Sequence, residues 1–285
     1  MTFLRNAAAA TLVVAASLAA GGAGAQQAAD TLRVRLNADI RSTDPGVNRD
    51  GNTDAVVLHV VEGLVAFRDD TSVGPMLAER IDVAADSLSY TFRLREGVRF
   101  HNGAPLTSAD VAFAWKRYMD PATQWRCLPE FDGRGVSKVT AIETPDPRTV
   151  VFRLERPAAL FLTAMARVDC GSAGIWHRDS LDADGKWKEP VGTGPFRLGE
   201  WRRGQFVELV RNDAYAARTE PRSGHTGDKT PRVGKVRFVI VPDASAAKAA
   251  LLAGNLDVVT DVSANDAKEL AARNDVKVES VSTMD

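Results

Sequence analysis

Residues Leu77 to Pro121 read LAERIDVAADSLSYTFRLREGVRFHNGAPLTSADVAFAWKRYMDP, which is a β-ribbon, a turn and a capped helix in series. Ser89 to Arg95 alternate polar and apolar, the two-residue period of a half-buried strand. After Gly97 a short second run, Val98 to Phe100, leads into Asn102-Gly103, a dipeptide that accepts positive φ at little cost. Thr107 opens a helix as N-cap, with Asp110 three residues on completing a T-x-x-D capping box. Val111, Ala114, Trp115 and Tyr118 fall on one helical face, and Asp120-Pro121 ends the helix.

Working outward, Leu32 to Ala38 alternates and predicts an opening strand, followed by an irregular polar loop from Asp39 to Asn52. Val139 to Ile142 and Thr149 to Leu154 bracket Pro145-Asp146-Pro147-Arg148, a predicted hairpin. A helix is expected from Pro157 to about Arg167. Beyond residue 235 the pattern changes to strand Val236–Val241, a helix capped by Asp243 and closed by Gly254-Asn255, and strand Leu256–Val259. A second helix, Ala264 to Arg273, is capped by Ser263 with Asp266, and Val276 to Val281 reads as a third strand. A β-α-β-α-β order implies parallel neighbours, and the opening strand is expected to join that sheet. Ligands of such sheets sit beyond the carboxyl ends of the strands.

The chain has 36 Lys and Arg against 37 Asp and Glu, a formal net charge of −1 with the signs interspersed. A nucleic-acid partner needs a concentrated basic surface, so that class is set aside. Residues 1–25 carry Arg5, the apolar stretch Ala7 to Ala20 and an Ala23-Gly24-Ala25 cleavage site, the pattern of a signal peptide with a mature start at Gln26. The residue directly after that site is Gln26 and not a cysteine, so export to the periplasm without a lipid anchor is expected. In that oxidising compartment Cys127 and Cys170 are expected to form a disulfide, the alternative being two free buried thiols.

No G-x-S-x-G, H-E-x-x-H or C-x-x-C pattern occurs in the sequence, and His59, His101, His177 and His225 are scattered. No catalytic or metal constellation is therefore predicted. Gly192-Thr193-Gly194-Pro195 invites a phosphate-loop reading but lacks the Lys-Ser/Thr ending and precedes a strand, which favours a tight inter-domain turn.

The RFHNG turn with the following PLT-x-x-DV helix start resembles the signature region of the family 5 extracellular solute-binding proteins, receptors of bacterial ABC importers for peptides and nickel. Three further blocks resemble that family in the same order. They are Val47 to Leu64 with its EGL end, Val191 to Tyr215 (VGTGPFRLGEWRRGQFVELVRNDAY, with Phe196 where Tyr is usual), and Val236 to Val259. The resemblance implies an α/β fold with an inserted α+β domain, a periplasmic-binding-protein-like type II clamshell. Residues 26–64 and 188–285 would form a discontinuous first lobe, and 65–187 the inserted ribbon-rich domain. Members of the family are longer, so the second lobe is expected to be missing and the sequence to be a fragment or a truncated reading frame.

The same resemblance implies a monomeric periplasmic receptor without cofactor, binding di- or oligopeptides or a related solute and delivering it to an inner-membrane ABC permease. Nickel chelate or haem binding by the same fold, and a periplasmic hydrolase, are the alternatives. Ligand contacts carried over from the family fall on Asn48 and Thr53 in the first loop, on Trp125 and on Arg167. A tryptophan offers flat apolar area and an arginine a planar fork for carboxylates. The competing reading packs Trp125 into its own domain and pairs Arg167 with Asp169. Asn48 stands where some nickel binders carry tyrosine, which argues against nickel.

Overall fold

The structure is a computed structural model that describes residues 30–280, so the signal-peptide reading at 1–25 lies outside the described residues. The chain runs β1 (Thr31–Leu36), α1 (Gly51–Val57), β2 (Val65–Phe67), β3 (Val73–Pro75), β4 (Ala78–Val83), β5 (Ser89–Leu94) and α2 (Ser108–Tyr118). It continues through α3 (Leu128–Phe131), β6 (Val139–Asp146), β7 (Thr149–Leu154) and α4 (Phe161–Ala166). The last elements are β8 (Phe196–Arg202), β9 (Phe206–Arg211), β10 (Lys235–Ile240), α5 (Ala244–Leu252) and α6 (Ala264–Ala271).

Strands β4 to β7 form an antiparallel sheet in the order β4-β5-β7-β6. The alternation in β5 does what its period predicts: Tyr90, Phe92 and Leu94 are buried and the residues between them are not. Helix α2 lies against the sheet through Val111, Ala114, Trp115 and Tyr118, all inaccessible to solvent. The Trp115 ring packs edge-on against Phe152 at 4.9 Å and Phe131 at 5.0 Å, an arrangement favoured by the ring quadrupoles. At the helix start Asp110 accepts the Thr107 N–H at 2.9 Å and its hydroxyl at 2.6 Å. Asp120 accepts from Ala122 N–H at 2.9 Å and turns the chain away after the helix. The helix expected from Pro157 starts only at Phe161; the Ala158 carbonyl before it accepts both the Phe161 N–H and the Tyr90 hydroxyl at 3.1 Å.

The other four-stranded sheet has the order β1-β10-β9-β8. Strands β1 and β10 are parallel, as expected of the opening strand, but β9 is antiparallel to both β10 and β8. The sheet is therefore mixed, with the β8–β9 hairpin paired antiparallel on one edge of β10 and β1 parallel on the other. The stretch expected as strand Leu256–Val259 reduces to a single bridge, Val258 with Val34. There the Asp257 carboxylate accepts the Arg33 N–H at 2.7 Å and holds its guanidinium, diverting the ladder. Residues 276–280 form no strand.

Buried apolar side chains gather in two clusters. The larger spans the ribbon sheet, α2, α3 and α4 and reaches Ile175 and Trp176. The smaller joins β1, α1 and strands β8 to β10 through Ile40, Val56, Val60, Phe196 and Phe238. Two devices bridge them. The His101 N–H donates to Gly192 O at 2.8 Å, Gly194 N–H donates to Val60 O at 3.0 Å, and a Cβ on Gly192 would stand 2.0 Å from Val60 O. The glycines of the VGTGP run thus allow backbones to meet. Beside them Glu62, its side chain 1% exposed, accepts from Thr193 Oγ1 at 3.0 Å and Tyr215 Oη at 2.8 Å and pairs with Lys229 Nζ at 2.8 Å.

Removing one member of a buried ion pair strands the other, so Glu62→Ala is expected to lower unfolding stability by about 3–5 kcal/mol. Urea denaturation followed by far-UV circular dichroism measures it; a loss below about 1 kcal/mol, the level of an exposed pair, would show that the carboxylate is not holding the junction.

Candidate functional site

Strands β1 and β10 point their carboxyl ends the same way, and the chain leaving β1 runs irregularly over residues 37–50 before Asp50 caps α1 by accepting the Thr53 N–H at 2.9 Å. This loop has almost no regular hydrogen bonding of its own and is held from outside. Asp44 is buried and forms a two-pronged ion pair with Arg117 of α2, Nη1 to Oδ1 at 2.9 Å and Nη2 to Oδ2 at 2.6 Å. The same guanidinium lies 5.5 Å from the Trp176 ring centre and 5.3 Å from that of Trp187, within cation–π range of both. The Trp187 indole N–H donates to Thr43 Oγ1 at 3.1 Å.

Gly46 supplies the next anchor. Its φ is +71°, and an added Cβ would lie 2.5 Å from the Trp125 indole nitrogen and 2.7 Å from the Cys170 carbonyl. Only glycine fits a positive-φ position wedged so tightly. The Gly46 carbonyl accepts the Arg126 N–H at 3.0 Å. The notch that receives it is fastened by the Cys127–Cys170 disulfide, whose Cα atoms are 5.5 Å apart. Asp169 stands close to both sulfurs in the spacing of a metal-ligand group. The sulfurs are bonded to each other, however, so neither serves as a thiolate ligand.

The candidate residues gather unevenly around this loop. Asn48 is exposed at its tip, with φ at 44°. Thr53 is buried on α1, where its hydroxyl oxygen accepts the Arg41 N–H at 3.0 Å. Trp125 is 2% exposed, donates its indole N–H to Cys170 O at 3.0 Å, and stacks on Tyr118 at 4.6 Å and Phe131 at 5.5 Å. It does not stand in solvent as a platform, because its two faces and its N–H are already engaged. Arg167 is part-exposed and holds Asp169 with two bonds, 3.0 and 2.8 Å, and Glu130 with one at 2.8 Å. The geometry is that of the competing reading for both residues. Asp44, Arg117, Trp187 and Gly46 were not singled out from the sequence; the turn-forming Asp44-Pro45-Gly46 run was the available signal.

Charge is dense here. Arg41 pairs with Asp50 at 3.0 Å, Arg49 with Asp54, and Arg126 with Asp169 at 2.9 Å. The bonds from Arg167, then those from Arg126, hold the Asp169 carboxyl down at about 2. Burial pushes Asp44 and Asp54 the other way, above the usual carboxylate range, against the pull of Arg117 and Arg49.

A separate cavity of about 850 Å³ opens over one face of the mixed sheet. Leu32, Val34, Val236 and Phe238 line it from the strands, with Lys229 and His225 from the loop opposite. None of Asn48, Thr53, Trp125 and Arg167 lines it or the two smaller cavities. His59 on its wall is held down at about 4 by burial.

Residues 72–285 match the family model of the bacterial extracellular solute-binding proteins, family 5 Middle. Among curated proteins the chain is 37% identical over 185 residues to Di/tripeptide-binding protein 4 of Pseudomonas aeruginosa, covering 59% of this chain and 35% of that protein. It is 28% identical to Dipeptide-binding protein DppE of Bacillus subtilis, covering 76% and 40%. Among solved structures, the binding protein AgaA with agropinic acid from A. tumefaciens R10 aligns with a TM-score of 0.74 at 29% identity, covering 86% of this chain and 46% of that one. DppA of Helicobacter pylori with the peptide STSA aligns at 0.73 and 27% identity, covering 86% and 49%. The chain thus spans between about a third and a half of the length of these relatives.

A carboxyl held at about 2 when folded, against an ordinary 3.8, adds stability that is present above about pH 4 and is lost as the pH falls through about 2. Asp169→Asn is expected to cost about 1 kcal/mol at neutral pH, after discounting for a part-exposed pair. The difference between the two proteins should shrink between about pH 4 and pH 2. Urea melts across that range check it, and a pH-independent difference would mean that the ion pairs contribute nothing.

Proposed function

The chain belongs to the bacterial extracellular solute-binding proteins of family 5, and from that membership we propose that it is the periplasmic substrate-binding component of an ABC importer. It takes up small peptides, di- or oligopeptides, or a related solute, and hands it to an inner-membrane permease. The observation that carries the peptide reading is the 37% identity to a protein named for di- and tripeptides. It is supported by the family blocks that the fold brings together: the EGL segment, the VGTGP run and the Tyr215 hydroxyl meet at Glu62.

In this reading residues 26–64 and 188–285 form one lobe and 65–187 the inserted domain, in keeping with two apolar clusters. The ligand wall is the loop after β1 with its tip at Asn48, backed by Thr53, Trp125 and Arg167. Trp125 acts by backing the loop at Gly46, and Thr53 by fixing the Arg41 backbone. Arg167 offers a guanidinium to a ligand carboxylate only in exchange with Asp169 or Glu130. Ligand shifts an equilibrium between open and closed arrangements, and the closed form is the one delivered.

The reading is tested by titrating the 285-residue chain with dipeptides, tripeptides, a hexapeptide, nickel–histidine and haem, followed by tryptophan fluorescence and calorimetry. Di- and tripeptides are expected to bind, weakly, with Kd of about 10⁻⁴ M or above, because productive pockets bury most of a ligand and these wall residues line none of the three cavities described above. Micromolar affinity for a dipeptide would overturn the weak-wall expectation. Tight nickel or haem binding with no peptide response would overturn the peptide reading.

A further inference from the structure

Asp39, near the start of the loop between β1 and α1, accepts from the Trp201 indole N–H at 2.9 Å and the Gly204 N–H at 2.8 Å, whereas the stretch Thr43–Gly46 is anchored from residues between 117 and 187: Arg117 to Asp44, Trp187 to Thr43, and Trp125 with Cys170 around Gly46. They differ in kind. The Thr43 bond is a single neutral hydrogen bond and the Gly46 seat is a matter of shape. The Asp44–Arg117 pair has both charges largely withdrawn from water, at side-chain exposures of 5% and 18%. Such a pair is directional, because a carboxylate and a guanidinium fork meet in one plane through two parallel bonds.

The surroundings sharpen that direction. The Arg117 guanidinium lies near two indole rings, Trp176 and Trp187, which restrict how its fork can turn. Trp176 is itself fixed by donating its indole N–H to the Tyr118 hydroxyl at 3.2 Å, which donates to Gly174 O at 2.6 Å. The loop side is equally constrained: the Asp44 N–H donates to Ser42 Oγ at 2.9 Å, and the Val47 N–H returns to Asp44 O at 3.1 Å. Fixing Asp44 therefore fixes the turn that carries Val47 and, next to it, the exposed Asn48.

We propose that Arg117 is a positioning residue for ligand capture: through the buried pair with Asp44 it orders the loop over residues 41–50 before any ligand arrives. This rests on the receptor reading above and deepens it, by naming what sets the geometry of the proposed wall. Arg117 itself touches no ligand in this scheme. A lysine in its place keeps the charge but loses the fork, so it cannot hold both carboxylate oxygens in one plane.

The test compares the 285-residue chain with Arg117→Lys and with the double variant Asp44→Asn, Arg117→Gln, which removes both charges and leaves no stranded ion. Hydrogen–deuterium exchange is read on peptides covering residues 41–50 and, as the internal reference, on β5 and β7; affinity for the dipeptide Met-Leu is measured in parallel. Exchange of the loop is expected to rise about tenfold or more in both variants, while the reference strands keep their protection, and dipeptide affinity should fall about tenfold, mainly through faster dissociation. Unchanged loop protection in the double variant would overturn the proposal, as would a uniform loss of protection in the strands, which marks a merely structural role. Should the parent chain bind no dipeptide, the peptide reading fails, and the loop exchange alone still decides whether the pair orders the loop. A loosened loop with undiminished dipeptide affinity would sink the positioning role.

Discussion

A carboxylate removed from water needs donors, and Glu62 collects three from parts of the chain far apart in sequence: the Thr193 and Tyr215 hydroxyls and the Lys229 ammonium. Its own backbone carbonyl accepts the Ile175 N–H at 2.8 Å. The residue therefore ties the end of the first helical segment to the run that returns from the ribbon region, to the strand pair beyond it, and to the long loop before β10. Around it, Gly192 and Gly194 let two backbones approach within hydrogen-bonding distance. Without that convergence the two apolar clusters would be two small cores on one string. Neither charge nor glycine at these places contributes much packing area; together they fix how the larger pieces meet.

The loop after β1 depends on that meeting. Fixing the backbone of each residue costs about 1–2 kcal/mol, and turn bonds within residues 41–50 are too few to offset it. The offset comes from α2, from Trp187 and from the disulfide-tied notch on the ribbon side, and from the contacts of Arg41 with Thr53 and of Arg49 with Asp54 on α1. A wall ordered in advance loses less freedom when a ligand arrives, which is where preorganised sites gain affinity. The position of Trp125 fits this division of labour: it gives its faces to Tyr118 and Phe131 and its edge to Gly46, and serves the loop from behind.

Local signals explain what was legible in the sequence. The β5 alternation, the α2 face and the Thr107, Asp243 and Ser263 caps are set by neighbours within four residues, and each stands where its pattern put it. The pairing of β9 with β10 was not legible, because no periodicity records which strand lies beside which. Residues 276–280 have strand composition without a strand, as the bridge at Val258 already leaves the ladder beside β1 unfinished. The site followed the same rule. Arg167 and Asp169 are two apart, and their pairing was open to anticipation. Asp44 and Arg117 are separated by 73 residues, and only the fold brings them together.

Packing is also distributed unequally along the chain, which bears on how such a wall could work. Helix α5 buries only Ala247 and α6 only Leu270. Leu252, Val258, Val262 and Val278, all in that same stretch, stay more than a third exposed. Elements with few buried contacts open at lower free-energy cost than densely packed cores. Arg35 restrains the looser part by donating to the Val241, Pro242 and Thr260 carbonyls, fastening it to β1 at a few points rather than along a surface. The loop leaves β1 beside this loosely held region and is pinned at Asp39 by Trp201 and Gly204, yet the anchors of Thr43 to Gly46 lie on the stiff side. Around Asp44 the rigidity of the proposed wall is thus borrowed from the ribbon region, which gives that region a purpose without requiring any of its side chains to touch the solute.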